Sequence, residues 1–286
     1  MFDELSHFLL VVEHGTLTGA ARRAHLSQPA LTASLQRLER DVGARLFHRG
    51  PGHGAELSAA GEALLPRARA AIAAIADGRR AIAEVVGLRA GEVRIGAGAT
   101  ACTYLLPPVL ARYRAAHPRV RFLLREAPPQ EVLDALDRGE LDLGVVTTDG
   151  GEPWRDDPLV LVAAPDLAAG AKDAPFVTFA RGSTTREALA RHFPDAEIVM
   201  ELGSIAAVKG NVRAGIGVAL VSRSAVEGDV ARGTLVIVPD PRTPIVRPLS
   251  IIHRGVDRLP PAAAALRELL LASRDPQTRK PARRRK

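Results

Sequence analysis

The sequence has a single cysteine, Cys102, in 286 residues. A disulfide within the chain is therefore impossible, and a zinc site built on thiolates is excluded for want of ligands. No apolar run approaches the roughly 20 residues that cross a bilayer as a helix, so no membrane partner is expected. The opening Met-Phe-Asp-Glu has neither the basic start nor the apolar core of a signal peptide, and a cytoplasmic location is the expectation. No phosphate-binding loop, no Ser-His-Asp order and no metal-ligand spacing occurs, so no catalytic residue, metal or cofactor is assigned. Five of the eight histidines (His7, His14, His25, His48 and His53) cluster near the N-terminus. They read as surface or core imidazoles, the last three as neighbours for phosphate.

Broad basicity is also missing from most of the chain. The formal net charge is +7, but six basic residues fall between Arg279 and Lys286, leaving +1 for the rest. Residues 1–57 carry six arginines against six acids. Any affinity of that segment for nucleic acid must come from placed contacts and dimerisation rather than from a diffuse field. The polar, basic, proline-punctuated stretch 274–286 is expected to be disordered.

What is present begins with two short helical patterns between Thr18 and Glu39. Thr18 is positioned to cap the first, and Ala20, Ala21 and Ala24 give it a small packing face. His25-Leu26 forms the break. Ser27 then caps a second helix, with Pro29 in its opening turn where a missing N–H costs nothing. Leu31, Leu35, Leu38 and Val42 fall on one face of this helix, at steps of four, three and four. Gln28, Ala30, Thr32, Ala33, Gln36, Arg37 and Arg40 are left on the other. That short, polar, mildly basic face suits a helix lying in the DNA major groove.

The surrounding residues extend the pattern: Phe8, Val12, Glu13 and Gly15 before it, and Gly43, Leu46-Phe47, Arg49, Leu57 and Gly61 after it. Together they resemble the winged helix-turn-helix of the LysR-type transcriptional regulators. Gly43 to Leu57 reads as the wing, held by Leu46 and Phe47 and tipped by Arg49 and Gly-Pro-Gly-His-Gly. The chain departs from the family here, with Gly52 where a second arginine is common and an interval to Leu57 one residue longer. The resemblance places Gln28, Ala30, Thr32 and Gln36 at base edges and Ser27, Arg37 and Arg49 on phosphates, with Pro29 in the same turn.

Ser58 to Gly87 forms one alanine-rich helical pattern about 45 Å long, too long to bury on a 57-residue domain alone. The resemblance makes it a linker helix (58–88) that pairs with a second chain, with Pro66 absorbed as a kink. From residue 91, strands alternate with helices, which points to a parallel doubly wound sheet. Gly91–Gly96, Leu105-Leu106-Pro107, His117-Pro118 and Gly139–Leu143 stand where the LysR effector domain has them. That domain implies a two-lobed α/β architecture like that of periplasmic binding proteins over 91–273. The first lobe takes about 91–149 and 246–273, and the second about 158–245, with Val146 to Leu159 shorter than the family usually shows.

Ligands of open α/β sheets lie beyond strand carboxyl ends, at helix N-termini. Three turns qualify: Gly98 to Thr103, containing Thr100, Ala101, Cys102 and Thr103; Thr147-Thr148; and Arg181 to Thr184, containing Ser183 and Thr184. Their hydroxyls and backbone N–H groups suit a carboxylate or other small anion, although each hydroxyl is equally able to cap its own helix. By resemblance, Thr100, Thr147 and Ser183 match positions that touch effectors. Cys102 is either a lowered-pKa thiol at a helix start or a small buried residue, and Trp154 and Arg155 stand near the mouth of the cleft. The lone cysteine also sets the chain apart from family members that sense peroxide by joining two cysteines of one chain. The expected function is a homodimeric or homotetrameric regulator of double-stranded promoter DNA, switched by a small-molecule effector. A regulator without ligand, a cleft enzyme and a solute-binding protein are the alternatives.

Overall fold

The computed structural model describes residues 1–48, 55–85, 91–148 and 150–274. Arg49 and the wing tip with Gly52, most of the expected hinge and the basic tail lie outside the described residues. The chain forms two compact units, one over residues 1–88 and one from residue 89 onward, the turn Asp137–Glu140 excepted.

The first unit is helical. α1 (Phe2–His14), α2 (Leu17–Arg23) and α3 (Gln28–Val42) surround a core of Phe8, Val11, Ala20, Ala21, Leu31, Leu35, Leu38 and Leu46. Thr16, and not Thr18, caps α2: its extended backbone lets the hydroxyl accept from the Gly19 N–H at 3.1 Å. Thr18 is already inside the helix. α2 ends with His25 in the left-handed region at φ 55°. The N–H of Leu26 reaches the Ala21 carbonyl and that of His25 the Arg22 carbonyl, closing the orphan carbonyls of the helix end. Ser27 caps α3 by accepting from the Ala30 N–H. Val42 is 42% exposed, contrary to the sequence pattern, because Gly43 turns the chain at φ 71° and Leu46 fills the core instead. Phe47 and Leu57 pair across the base of the wing. Ser58 then starts α4 (Ala59–Val85), accepting from the Gly61 N–H and donating to the Arg45 carbonyl. α4 runs unbroken through Pro66.

The second unit has two lobes. The first is a five-stranded sheet in the order β2-β1-β3-β10-β4, formed by β1 (Glu92–Ala97), β2 (Arg121–Glu126), β3 (Leu143–Thr147), β4 (Glu152–Asp156) and β10 (Pro248–Ile252). β1, β2 and β3 are parallel as expected, but β10 is antiparallel to both β3 and β4. The sheet is therefore mixed, because β10 enters from the other lobe rather than through a helical crossover on its own. α5 (Leu106–Ala116) and α10 (Pro261–Ala272) pack on it, and α6 (Pro129–Asp137) lies between β2 and β3 in sequence.

The second lobe contains β5 (Leu159–Ala163), β6 (Phe176–Phe179), α7 (Thr184–His192), β7 (Ile198–Leu202), α8 (Ile205–Arg213), β8 (Ala219–Ser222), α9 (Arg223–Ala231) and β9 (Val236–Ile237). β5 is antiparallel to β8 and β9, while β6 and β7 are parallel. A bridge from Phe176 to Val218 links the two sets. The chain crosses between lobes twice, before β5 and before β10. The crossings are themselves hydrogen-bonded: Asp157 N–H to the Arg247 carbonyl at 2.8 Å, and Leu159 and Ile245 to each other in both directions.

Candidate functional site

In the first unit, Gln28, Pro29, Ala30, Gln36 and Arg37 are exposed along α3, Thr32 is half-buried, and Ser27 is exposed at the cap. Not all of these side chains are equally available. The Thr32 hydroxyl donates to the Gln28 carbonyl of its own helix at 2.9 Å, leaving only lone pairs to offer. The Gln28 amide oxygen accepts from Thr18 at 3.3 Å, which aims the NH₂ end outward from the helix start. Arg37 pairs with Glu4 at 3.1 Å. Arg37, Arg40 and Arg45 also line a shallow groove at the far end of α3, and the sequence pattern had not singled out Arg45.

In the second unit, a cavity of about 340 Å³ opens between the lobes. Such a volume suits a small molecule. Thr100 and Ala101 after β1, Thr147 at the end of β3, and Ser183 and Thr184 at the start of α7 all line it. Four expected contacts divide differently. Thr103 is exposed and outside the cavity lining. Thr148 accepts from the Gly150 N–H in a local turn and is also outside it. The Cys102 thiol is turned back toward β1, 3.4 Å from the Ala97 carbonyl. Burial and the Glu126 carboxylate push its pKa up to about 11, which removes the thiolate reading. Trp154 is fully buried on β4 and does not reach the cleft mouth.

The hydroxyls differ in their local duties. Ser183 caps α7 by accepting from the Arg186 N–H at 3.4 Å. Thr100 sits in helical backbone at φ −62° and caps nothing, because the chain enters a π-helical turn (Ala101–Leu105) before α5. Its hydroxyl instead accepts from Arg247. Arg247 is the residue that sequence reasoning missed. It lies on the return crossing, lines the cavity, and donates to Thr184 and Thr185 at 3.3 Å each and to Thr100 at 3.4 Å. Its guanidinium also pairs with the fully buried Asp157 on the other crossing, and Asp157 in turn accepts from Ser222. Glu126, Pro128, Phe179, Arg181 and Ile205 complete much of the wall. No local sequence signal marks Arg247, whose partners lie 62 to 147 residues away.

No helix among the described residues is long and apolar enough to cross a membrane. Two family models match. The bacterial regulatory helix-turn-helix of the LysR family covers residues 2–62, and the LysR substrate-binding domain covers 87–275. The chain is 35% identical over 287 residues to the uncharacterised HTH-type regulator YeiE of Escherichia coli K12, spanning 93% of this chain and 94% of that protein. It is similar in fold to full-length CbnR in complex with its target DNA (TM-score 0.59, 25% identity, 96% of this chain and 99% of that one). It is also similar to the regulatory domain of CcmR of Synechocystis PCC6803 in complex with 2-PG (TM-score 0.58, 24% identity, 65% and 99%). With the helix-turn-helix, the two lobes and both family models in agreement, the chain belongs to the LysR family of DNA-binding transcriptional regulators, which respond to small molecules.

Proposed function

We propose that this regulator acts in the cytoplasm as a homodimer or homotetramer and that its effector is a small anion held between the lobes. The observation that carries the effector reading is the convergence of Thr100, Ser183, Thr184 and Arg247 on one cavity. The guanidinium only donates, and each hydroxyl keeps a proton to donate while accepting, so together they suit a carboxylate or an inorganic oxyanion. The cleft is regulatory rather than catalytic: Arg247 and the hydroxyls of Thr100, Ser183 and Thr184 are placed to bind, Glu126 is the one acid in its lining, and the nearby thiol faces away. The 2-PG complex of CcmR is in keeping with a small ligand in this fold. Oligomerisation is supported by α4, about 40 Å long. Its Ile75 and Ile82 stand seven residues apart and are 41% and 65% exposed. Two heptad-spaced apolar residues on one face favour a partner helix.

The domain bounds follow: 1–57 to bind DNA, 58–88 to link and dimerise, and 91–273 to bind effector. Within the first, Gln28, Ala30, Thr32 and Gln36 read bases, while Ser27 and Arg37 hold phosphates. The same role for Arg49 rests on the family resemblance. The test is Gln28→Ala, measured by fluorescence anisotropy on a promoter fragment and on random DNA at fixed salt. A loss of about 1–3 kcal/mol on the promoter alone is expected. An equal loss on both would contradict base readout.

A further inference from the structure

We infer that Arg247 arms the cleft for an oxyanion and ties its occupancy to the set of the two lobes; this rests on the effector reading above. Arg247 stands on one crossing and Asp157 on the other, so their ion pair lies in the hinge itself. From there the guanidinium reaches Thr100 of the first lobe and Thr184 and Thr185 of the second. A pair serving only to hold the hinge would have no cause to spend its remaining donors on hydroxyls of both lobes.

The geometry of those donations matters. All three lie at 3.3–3.4 Å, well beyond the usual value of about 2.9 Å. They are long bonds to neutral acceptors, and the Nε–H beside them is buried without a partner. A ligand oxyanion offers the same N–H groups charged acceptors, which draw into shorter bonds of about 2.7–2.9 Å. A threonine hydroxyl that accepts from the guanidinium keeps its own proton to donate. Arg247 therefore turns the protons of Thr100 and Thr184 from opposite walls toward a common anion. Asp157, with no exposure and a second bond from Ser222, fixes the guanidinium plane and offsets its charge while the cleft is empty. An anion that draws on both walls shortens these contacts and favours the closed arrangement, which is how differential affinity becomes a conformational shift. Lysine substitutes only in part, since it keeps the charge but one ammonium cannot span both walls with a planar fork.

The experiment is calorimetric titration of the full-length chain with sodium acetate, sulfate and phosphate at constant ionic strength, with acetamide as the uncharged control. Wild type is expected to bind at least one anion and not acetamide. Arg247→Gln is expected to weaken that binding about 10-fold or more, the loss of one charge-assisted bond, and Arg247→Lys by less. Because Arg247→Gln leaves the Asp157 carboxylate buried and unpaired, the double variant Asp157→Asn/Arg247→Gln is measured alongside and is expected to show the same loss. The saturating anion should also slow amide exchange at Asp157, Leu159 and Ile245 in wild type but not in the double variant. Undiminished binding by the double variant overturns the role of Arg247 and leaves the effector reading standing. Binding with unchanged exchange overturns the coupling, and no anion binding by wild type overturns the inference and the effector reading together.

Discussion

Leu38→Ala is expected to cost the N-terminal unit roughly 2–5 kcal/mol, as deletion of a fully buried leucine does when its surroundings relax only in part. Leu38 is 1% exposed and sits in the C-terminal half of α3, in one core with Phe8, Leu31, Leu35 and Leu46. Its neighbours in sequence, Gln36 and Arg37, are on the outward face. The core that stabilises the unit therefore also sets where the residues proposed to contact DNA point. Thermal unfolding followed by circular dichroism should show the helical N-terminal transition moved down, with the transition of the effector unit unmoved. Promoter binding should fall at temperatures where that unit is partly unfolded. A change below about 1 kcal/mol would mean that α3 does not rest on this core.

Trp154→Ala is expected to have the opposite distribution. Trp154 is 0% exposed on β4, at the edge of the five-stranded sheet, and its indole N–H donates to Ser273 at the end of α10 at 3.2 Å. Removing it empties a large buried volume and leaves the serine without that donor, at a cost of roughly 3–5 kcal/mol. The transition of the effector unit should drop, while the N-terminal unit keeps its own melting temperature. Wild-type stability in this variant would contradict the placement of β4 in the sheet.

These two residues mark the difference between what the sequence makes readable and what it does not. Leu38 was legible because helix period is local: three leucines at steps of four and three, a serine cap and an early proline all lie within twelve residues. Small errors came from the same local reasoning. The sequence pattern put the cap at Thr18, but the chain leaves the left-handed turn at Gly15 with Thr16 as the extended residue. Val42 continues the helical stripe, but the turn at Gly43 takes it off the core.

The effector unit was legible as alternating strands and helices, since each element carries its own period. The direction of β10 was not, because it depends on the chain returning from the second lobe. β4 escaped for a related reason: Glu-Pro-Trp-Arg-Asp has no alternation, and its strand exists only through pairing with β10. Among the cavity residues, hydroxyls at strand ends were predictable from the general placement of ligands in α/β sheets. Arg247 was not, since it earns its position from Asp157, ninety residues away in the sequence.

The most direct measurement is a competition titration of the full-length chain on labelled promoter fragments, including that upstream of its own gene, against random duplex DNA, with and without acetate, sulfate or phosphate. Preferential binding to one fragment, sensitive to Gln28→Ala and shifted in affinity or footprint by one of the anions, is the predicted result. Equal affinity for promoter and random DNA, unchanged by any of the three anions, would contradict both the reading helix and the cleft as its switch.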